Sequence, residues 1–303
     1  MSIFTHVLSG SVRSLAVTIN GSTKTLGVIG NPVEHTLSPV IHNELAKVYN
    51  HNVVYLPYLV DGSVGDAIRG AHALHFGGLN VTVPHKTEVL QYVVEVDEFT
   101  KRIGAVNTLV PAEGGFKAYN TDIPGLYRGM LSDGVTMDDE DVMILGAGGA
   151  ARSVAMLALD KGAKQVFILN RTVSKAEKIA KEVNAYAGRE FVTAMALTDY
   201  SKLSGKKYLC IQATSVGLHP KVEDVVIADS DFYDMIHTGY DIIYNPYETK
   251  FMSLVKAHGG RAFNGLKMLL YQGIIAYELW NDISVSEEVA QQILGKMKEA
   301  LGL

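Results

Sequence analysis

A glycine-rich turn between an apolar run and a helix-forming segment is the clearest chemical feature of this 303-residue chain. The apolar run at 142–145 predicts a strand, and the alanine-rich segment after the turn predicts a helix. Glycines let a backbone approach a ligand closely, and the free N–H groups at a helix N-terminus favour anions. We therefore predict that this turn binds the phosphates of a dinucleotide, although a strand-to-helix turn without a ligand would have the same residues. The turn consists of Gly146, Ala147, Gly148, Gly149 and Ala150.

The residues after the next predicted strand favour a dinucleotide that carries an extra phosphate. An apolar run at 166–169 ends in Asn170-Arg171-Thr172, and Lys175 follows one helical turn later. NAD-binding proteins usually place an acidic residue here, which accepts hydrogen bonds from the ribose and would repel a 2′-phosphate. Neutral donors and two cations suit a phosphate instead, so we predict NADP (NADPH) as the cofactor. The alternative is that Thr172 or Ser174 only caps the following helix, while Arg171 and Lys175 are solvated.

Three polar patches in the first part of the chain each follow a predicted strand. In open α/β sheets, the loops at the carboxyl ends of the strands line the ligand crevice. Hydroxyls, amides, one lysine and one aspartate in such loops suit a small polyhydroxy acid as substrate. The patches are Thr36 with Ser38; Asn80, Thr82 and Lys86; and Asn107 with Asn120, Thr121 and Asp122.

Alternating strand and helix patterns predict an α/β fold of two domains. Between 142 and about 264, repeated strands and helices predict a doubly wound, Rossmann-like domain. Its strands are expected near 142–145, 166–169, 208–211 and 240–244. The last 39 residues are predicted to form two helices, which cannot build a core alone and should return to the first domain. We thus predict a substrate-binding and catalytic domain at 1–122 and 265–303, and an NADP-binding domain at 123–264.

Composition argues against several other classes of protein. A net charge of −5 without runs of Lys or Arg argues against nucleic acid as a partner. The longest apolar stretch, 266–280, contains charges and is too short to span a membrane. The single cysteine, Cys210, lies in an apolar run where burial is expected, and together with the absence of a secretory signal it favours the cytoplasm. The ten histidines have no metal-ligand spacing, and the first 24 residues suggest no role.

Motifs over nearly the whole chain after residue 25 resemble the shikimate dehydrogenases of the shikimate/quinate dehydrogenase family. The order and number of these motifs make chance similarity an inadequate explanation. The matching segments are Gly30-Asn31-Pro32, 35–39, His42-Asn43, 80–86, 104–109, 120–122, 146–152, 170–172, 213–217, 264–266, 268–270 and Gln272.

The resemblance implies reversible reduction of 3-dehydroshikimate to shikimate by NADPH, a step of aromatic amino acid biosynthesis. Lys86 would relay the proton to the carbonyl oxygen, and Asp122 would orient Lys86 and the hydroxyls. By the same analogy, Thr36, Ser38, Thr82 and Tyr244 would hold the substrate carboxylate, and Asn80, Asn107 and Gln272 would bind ring hydroxyls. Thr214 and Gly265 would join the glycine turn, Asn170, Arg171, Thr172 and Lys175 in binding the cofactor.

Several of these residues also have plain structural interpretations. Asp122 could cap the helix that follows it, and Lys86 could be a solvated loop residue. Asn107 and Gln272 could satisfy buried backbone groups, and Tyr244 could pack in a core.

Departures from the family pattern leave other activities open. Thr36 stands where the family commonly has serine, Ile123-Pro124-Gly125 follows Asp122 where glycine is usual, and Gln212 replaces a frequent asparagine. A quinate or dual quinate/shikimate dehydrogenase therefore stays possible, as does a catalytically silent binding module. We expect a monomer or a homodimer.

Overall fold

Two six-stranded sheets carry the fold in this computed structural model, which describes residues 19–203 and 205–303. In the first sheet the strand order is β2-β1-β3-β5-β6-β4. β1 runs parallel to β2 and β3, whereas β5 runs antiparallel to β3 and β6, so this sheet is mixed. Its strands are β1 (Lys24–Gly30), β2 (Val53–Leu59), β3 (Gly78–Val81), β4 (Glu95–Val96), β5 (Thr108–Ala112) and β6 (Gly115–Tyr119).

Four helices accompany this sheet along the chain. They are α1 (Ser38–Val48), α2 (Val64–Ala73), α3 (Glu98–Ile103) and α4 (Asp122–Ser132). The segment before α3 is not a continuous helix, because a 3₁₀ turn at Glu88–Tyr92 is followed by the two-residue strand β4. The β-branched residues Val93, Val94 and Val96 favour extended backbone, and Asp97 starts α3 by accepting a hydrogen bond from the N–H of Thr100.

All strands of the second sheet are parallel, in the order β12-β11-β10-β7-β8-β9. This is the doubly wound order, which confirms the predicted Rossmann-like sheet. Its strands are β7 (Asp141–Leu145), β8 (Gln165–Leu169), β9 (Val192–Met195), β10 (Tyr208–Gln212), β11 (Ile236–Asp241) and β12 (Arg261–Phe263). Its helices are α5 (Gly149–Asp160), α6 (Val173–Ala187), α7 (Asp231–Asp234) and α8 (Lys250–Ala257). Cys210 is buried in β10, as expected.

One strand of the second sheet lies earlier in the chain than its sequence pattern suggests. The strand predicted near 240–244 is present, but its bounds are wrong, because β11 runs from Ile236 to Asp241. Polar residues such as Thr238 hide this strand from a search for apolar runs, yet they are buried because β11 lies between β10 and β12. Residues 242–244 consequently form a loop at the carboxyl end of the sheet, where ligand-binding residues are found.

The two C-terminal helices, α9 (Leu266–Asn281) and α10 (Glu287–Ala300), pack against the first half of the chain. Trp280 donates its indole N–H to the carbonyl of Leu109 in β5 at 2.9 Å, and its own carbonyl accepts from Lys24 in β1 at 2.9 Å. Helix α9 is therefore covered on several sides. The residue boundaries of the two predicted domains stay a prediction.

Helices α4 and α9 approach each other at a glycine. A Cβ atom on Gly125 would lie 2.5 Å from the backbone nitrogen of Gln272 and 2.8 Å from its Cα. Such distances leave no room for a methyl group. The glycine in the Ile123-Pro124-Gly125 departure thus lets α4 lie directly against α9.

Replacing this glycine should destabilise the protein. We expect Gly125→Ala to lower the free energy of unfolding by about 1–3 kcal/mol, because the two backbones would have to separate. Gly70→Ala is the matched control in α2, where a Cβ would meet nothing within 4 Å, and it should raise stability by about 0.5–1 kcal/mol. Denaturant unfolding of both variants measures this difference, and equal stabilities would refute the close-packing argument.

Candidate active site

A cavity of about 350 Å³ opens where β1 and β3 end. The chain leaves β1 for β2 on one side and reaches β3 on the other, so the cavity lies at a switch point of the sheet. All nine residues predicted for catalysis and substrate binding line it. They are Thr36, Ser38, Asn80, Thr82, Lys86, Asn107, Asp122, Tyr244 and Gln272.

An ion pair between Lys86 and Asp122 forms the chemical centre of this cavity. The ammonium nitrogen of Lys86 donates to Oδ2 of Asp122 at 2.7 Å, and the two side chains are 31% and 22% exposed. The ammonium is thus held in place yet open to the cavity. The interpretation of Asp122 as a helix cap is wrong, since Thr121 is the N-cap of α4 and Asp122 is the first helical residue.

Asn107 ties this carboxylate to the strand behind it. Its Nδ2 donates to Oδ1 of Asp122 at 2.9 Å, and its Oδ1 accepts the backbone N–H of Thr121 at 2.7 Å. Gln272 faces the same amide at 3.4 Å and donates its own Nε2 to the carbonyl of Leu269 at 2.8 Å. The interpretation that Asn107 and Gln272 satisfy backbone groups is therefore confirmed, because Asn107 accepts the N–H of Thr121 and Gln272 donates to the carbonyl of Leu269. Their contacts with ring hydroxyls stay a prediction.

Asn80 is engaged even more completely. Its Oδ1 accepts from the hydroxyl of Tyr55 at 2.8 Å, and its Nδ2 donates to the carbonyl of Asn107 and to Oγ1 of Thr108, both at 3.1 Å. Both amide hydrogens are used, so a ligand would meet only the second lone pair of Oδ1. Tyr55 does not line the cavity, and its contact with Asn80 could not be predicted because it lies in an apolar strand that offers no chemical pattern.

A buried aromatic layer supports Tyr55 from behind. The ring of His42 stacks on that of Tyr55 with centroids 4.2 Å apart, and burial lowers the pKa of His42 to about 3. This imidazole is therefore neutral at ordinary pH. It backs the polar wall of the cavity without adding charge.

Two hydroxyls meet at the start of α1. Oγ1 of Thr36 lies 3.1 Å from Oγ of Ser38 and accepts the N–H of Ser38 at 3.2 Å. The helix begins with Leu37 as N-cap and Ser38 as the first helical residue. A hydroxyl pair beside a helix N-terminus suits an anion such as a carboxylate.

A second cleft, of about 860 Å³, lies at the switch point of the parallel sheet, between β7 and β10. Every predicted cofactor residue except Gly265 lines it. These are Gly146, Ala147, Gly148, Gly149, Ala150, Asn170, Arg171, Thr172, Lys175 and Thr214. Gly265 lines the first cavity instead, and its predicted contact with the cofactor stays a prediction.

The glycine turn offers open backbone donors to this cleft. Gly148 is the N-cap of α5, no side chain caps this helix, and a Cβ on Gly148 or Gly149 would meet nothing within 4 Å. The first N–H groups of α5 are consequently free for an anion. This arrangement fits the pyrophosphate of a dinucleotide.

The segment after β8 fits a further phosphate. Thr172 is the N-cap of α6 but makes no side-chain capping bond, so the capping alternative for Thr172 is wrong. Arg171 and Lys175 are exposed, and within residues 19–203 and 205–303 neither has a carboxylate within 4.0 Å. Two cations that lack acidic partners suit a doubly charged phosphate group.

The cleft and the first cavity share a wall. Ile242 and Tyr244, from the loop after β11, line both. The cleft is therefore adjacent to the cavity that contains Lys86 and Asp122. A dinucleotide with its adenosine phosphate at Arg171 would place its nicotinamide end at this wall.

Comparison with known proteins identifies the family. Residues 28–109 match the family model of the shikimate dehydrogenase substrate binding domain, and residues 131–223 match that of shikimate / quinate 5-dehydrogenase. A protein of Carboxydothermus hydrogenoformans named shikimate dehydrogenase (NADP(+)) is 40% identical over 286 residues, which cover 94% of this chain and 99% of that protein. The chain belongs to the shikimate dehydrogenase family.

Solved structures of shikimate dehydrogenases agree with the fold. A shikimate dehydrogenase crystallised with NADP⁺ has a TM-score of 0.83 at 36% identity, with 92% of this chain and 97% of that one covered. The Listeria monocytogenes enzyme in complex with shikimate and NAD has a TM-score of 0.83 at 29% identity, with 91% and 98% covered. The predicted family and the predicted α/β fold are thus confirmed.

The described residues also bear on metal binding and on membrane spans. Within 19–203 and 205–303, no three His, Cys, Asp or Glu side chains are grouped so that they could hold a metal ion. In the same ranges, no helix is both long and apolar enough to cross a membrane.

A buried carboxyl, Asp241, lies behind the shared wall and was missed by sequence reasoning. It is fully buried at the end of β11 and accepts from Oγ1 of Thr249 at 2.7 Å and from the N–H of Ile243 at 3.0 Å. Burial raises its pKa to about 6. Lone acidic residues in a sequence are usually solvated, so nothing in the pattern marked this one.

Arg171 should decide between the two dinucleotides. We expect Arg171→Asp to weaken NADPH binding by about 10-fold or more and NADH binding far less, because the new carboxylate would repel only a 2′-phosphate. Lys178→Asp is the matched control, since Lys178 is exposed on α6 but does not line the cleft. Fluorescence titration with both cofactors measures the preference, and an unchanged ratio would remove Arg171 from the site.

Asp241 should make stability depend on pH. Its pKa of about 6 exceeds the ordinary value of 3.8, so the folded state keeps a proton that the unfolded state has lost. Asp241 therefore contributes stability that is fully present below its ordinary pKa of 3.8 and is lost as the pH rises through its folded-state pKa of about 6. Relative to Asp241→Asn, the native protein should lose on the order of 3 kcal/mol between about pH 4 and about pH 7. Denaturant unfolding of both proteins at the two pH values tests this, and a constant difference would contradict it.

Proposed function

We propose that this chain is an NADP-dependent shikimate dehydrogenase that reversibly reduces 3-dehydroshikimate to shikimate in aromatic amino acid biosynthesis. The observation that carries the proposal is the Lys86–Asp122 ion pair, which lies in a polar cavity that shares a wall with a dinucleotide cleft. The relatives named shikimate dehydrogenase support the same substrate and cofactor.

NADPH, when bound, supplies the hydride for the carbonyl carbon. Lys86 donates a proton from Nζ to the carbonyl oxygen as negative charge develops there, and in the reverse direction it accepts that proton from the hydroxyl. Asp122 holds the ammonium in place through Oδ2, while Asn107 holds Asp122 through Oδ1. The pair thus needs no reorganisation when the substrate arrives.

The remaining cavity residues hold the substrate in this proposal. Thr36 and Ser38 present two hydroxyls to the carboxylate at the α1 N-terminus, and Thr82 and Tyr244 complete that end. Asn80, Asn107 and Gln272 face the ring hydroxyls with the hydrogen-bonding capacity that their protein contacts leave. The binding partners are accordingly small molecules and not nucleic acid, and we propose a cytoplasmic monomer or homodimer.

The other two candidate functions have less support. The relatives are named for shikimate, which does not favour quinate as the substrate. The methyl group of Thr36 narrows the space beside the substrate carboxylate, and a change of that size typically discriminates between substrates by about 1–3 kcal/mol. A silent binding module would have no use for the assembled Lys86–Asp122 pair.

Loss of Lys86 should abolish most of the turnover. We expect Lys86→Ala to lower kcat by about 10² or more with NADP⁺ binding unchanged, because general acid–base catalysis supplies a factor of this size. Lys101→Ala, a surface variant of α3, is the control and should behave like the native protein. Initial rates with shikimate and quinate, each with NADP⁺ and NAD⁺, measure the effect and the specificity together.

The outcomes of this grid are distinct. Oxidation of shikimate with NADP⁺ supports the proposal, and preference for quinate would replace it with the second activity. Cofactor binding without oxidation of either acid would indicate the silent module, and near-native turnover of Lys86→Ala would exclude Lys86 from the mechanism.

A further inference from the structure

Two loops at the nicotinamide end of the cleft are anchored to one buried side chain. The first loop follows β11 and includes Ile242 and Tyr244, and the second follows β10 and includes Thr214. Both loops line the cleft, yet neither is part of a helix or strand. The backbone bonds of the sheet reach only the first residue of each loop, where the N–H of Ile242 donates to the carbonyl of Gln212 and that of Ala213 to the carbonyl of Leu145. Other contacts must fix the residues beyond them.

The first loop is held directly by Asp241. Its Oδ1 accepts the N–H of Ile243 at 3.0 Å, and its Oδ2 accepts the hydroxyl of Thr249 at 2.7 Å. The carbonyl of Ile243 in turn accepts the N–H of Gly265 at 2.9 Å. The carboxylate thus fixes the loop from beneath, and α9 fixes it from the side.

The second loop is held through Gln212. The side-chain Nε2 of this residue reaches Oδ1 of Asp241 at 3.4 Å and donates to the carbonyl of Val216 at 3.0 Å. Its Oε1 accepts the N–H of Thr214 at 2.6 Å. One amide therefore closes the loop on itself and ties it to the carboxylate of the neighbouring strand.

We infer that Asp241 and Gln212 are positioning residues for the nicotinamide half of the cofactor. Neither lines the cleft, and both act through the loops that do. The residues Asp241 and Gln212 are 0% and 1% exposed, so neither contacts solvent. The inference rests on the proposed NADP site.

Charge gives this arrangement its direction. Above its pKa of about 6 the Asp241 side chain is a carboxylate, which accepts hydrogen bonds only, so it requires donors from Ile243, Thr249 and Gln212 at once. That demand fixes the orientation of the Gln212 amide, with Nε2 toward Asp241 and Oε1 toward Thr214. An asparagine at 241 carries no negative charge and has one acceptor oxygen in place of two, so the hydrogen bonds from Ile243 and Gln212 would lose their charge assistance.

A comparison of whole and truncated cofactor tests the inference. NADP⁺ contacts the whole cleft, whereas 2′,5′-ADP carries the adenosine and its phosphates without the nicotinamide. We expect Asp241→Asn to raise the Kd of NADP⁺ by about 10-fold, as loss of one charge-assisted hydrogen bond does, and to change that of 2′,5′-ADP by less than about 2-fold. Gln212→Leu should produce the same split, because it removes the second anchor while Asp241 stays.

Calorimetric titration of both ligands gives the constants, and thermal unfolding reports whether each variant is folded. Thr238→Val is the matched control, since it removes a buried hydroxyl from the same strand at a distance from the cleft, and it should change neither constant.

The possible results separate the two proposals. Native protein that binds neither ligand would contradict the proposed NADP site itself. Native binding with no change in either variant, or equal weakening of both ligands, would overturn the positioning role. If Asp241→Asn does not fold, the split measured for Gln212→Leu decides.

Discussion

The Lys86–Asp122 ion pair is the interaction on which the rest of the site depends. A lysine and an aspartate at 2.7 Å in a partly enclosed cavity hold each other by charge, but two flexible side chains pay entropy to stay in one geometry. Asn107 removes much of that freedom by donating to the second carboxylate oxygen from a buried position. The ion pair is therefore held as part of the cavity wall, with the Lys86 side chain partly open to the cavity.

Both cavities owe their places to the same topological rule. In each sheet there is a switch point, where the connections of two neighbouring strands run in opposite directions along the sheet. The loops at that point separate and leave a crevice between them. The glycine turn occupies the crevice of the parallel sheet, and the Thr36 and Lys86 loops occupy that of the mixed sheet. Because Ile242 and Tyr244 line both, the proposed reaction can deliver the hydride to the carbonyl carbon from the cleft and the proton to the carbonyl oxygen from Lys86.

Short motifs with a backbone reason could be predicted from the sequence, and features set by tertiary contacts could not. The glycine turn and the Asn170-Arg171-Thr172 segment follow from local geometry and charge, and the structure places both in one cleft. The first residues of strand β11 could not be predicted, because their burial comes from neighbouring strands rather than from apolar residues. The engagement of Asn80 by Tyr55 escaped for a similar reason, since no spacing rule links residue 80 to residue 55. The need for glycine at position 125 comes from its contact with α9, which lies more than 140 residues later in the chain.

The two cavities also share a mechanical support. Asp122 lies in the first turn of α4, and Gly125, one turn later, places α4 against Gln272 of α9. Gly265, the N-cap residue of α9, donates its backbone N–H to the carbonyl of Ile243, which lies in the loop that lines both cavities. Asp122 and the loop that lines both cavities are thus attached to the same pair of packed helices. Hydride and proton transfer both require separations of about 3–3.5 Å, so a single shift between α4 and α9 would disturb both transfers at once.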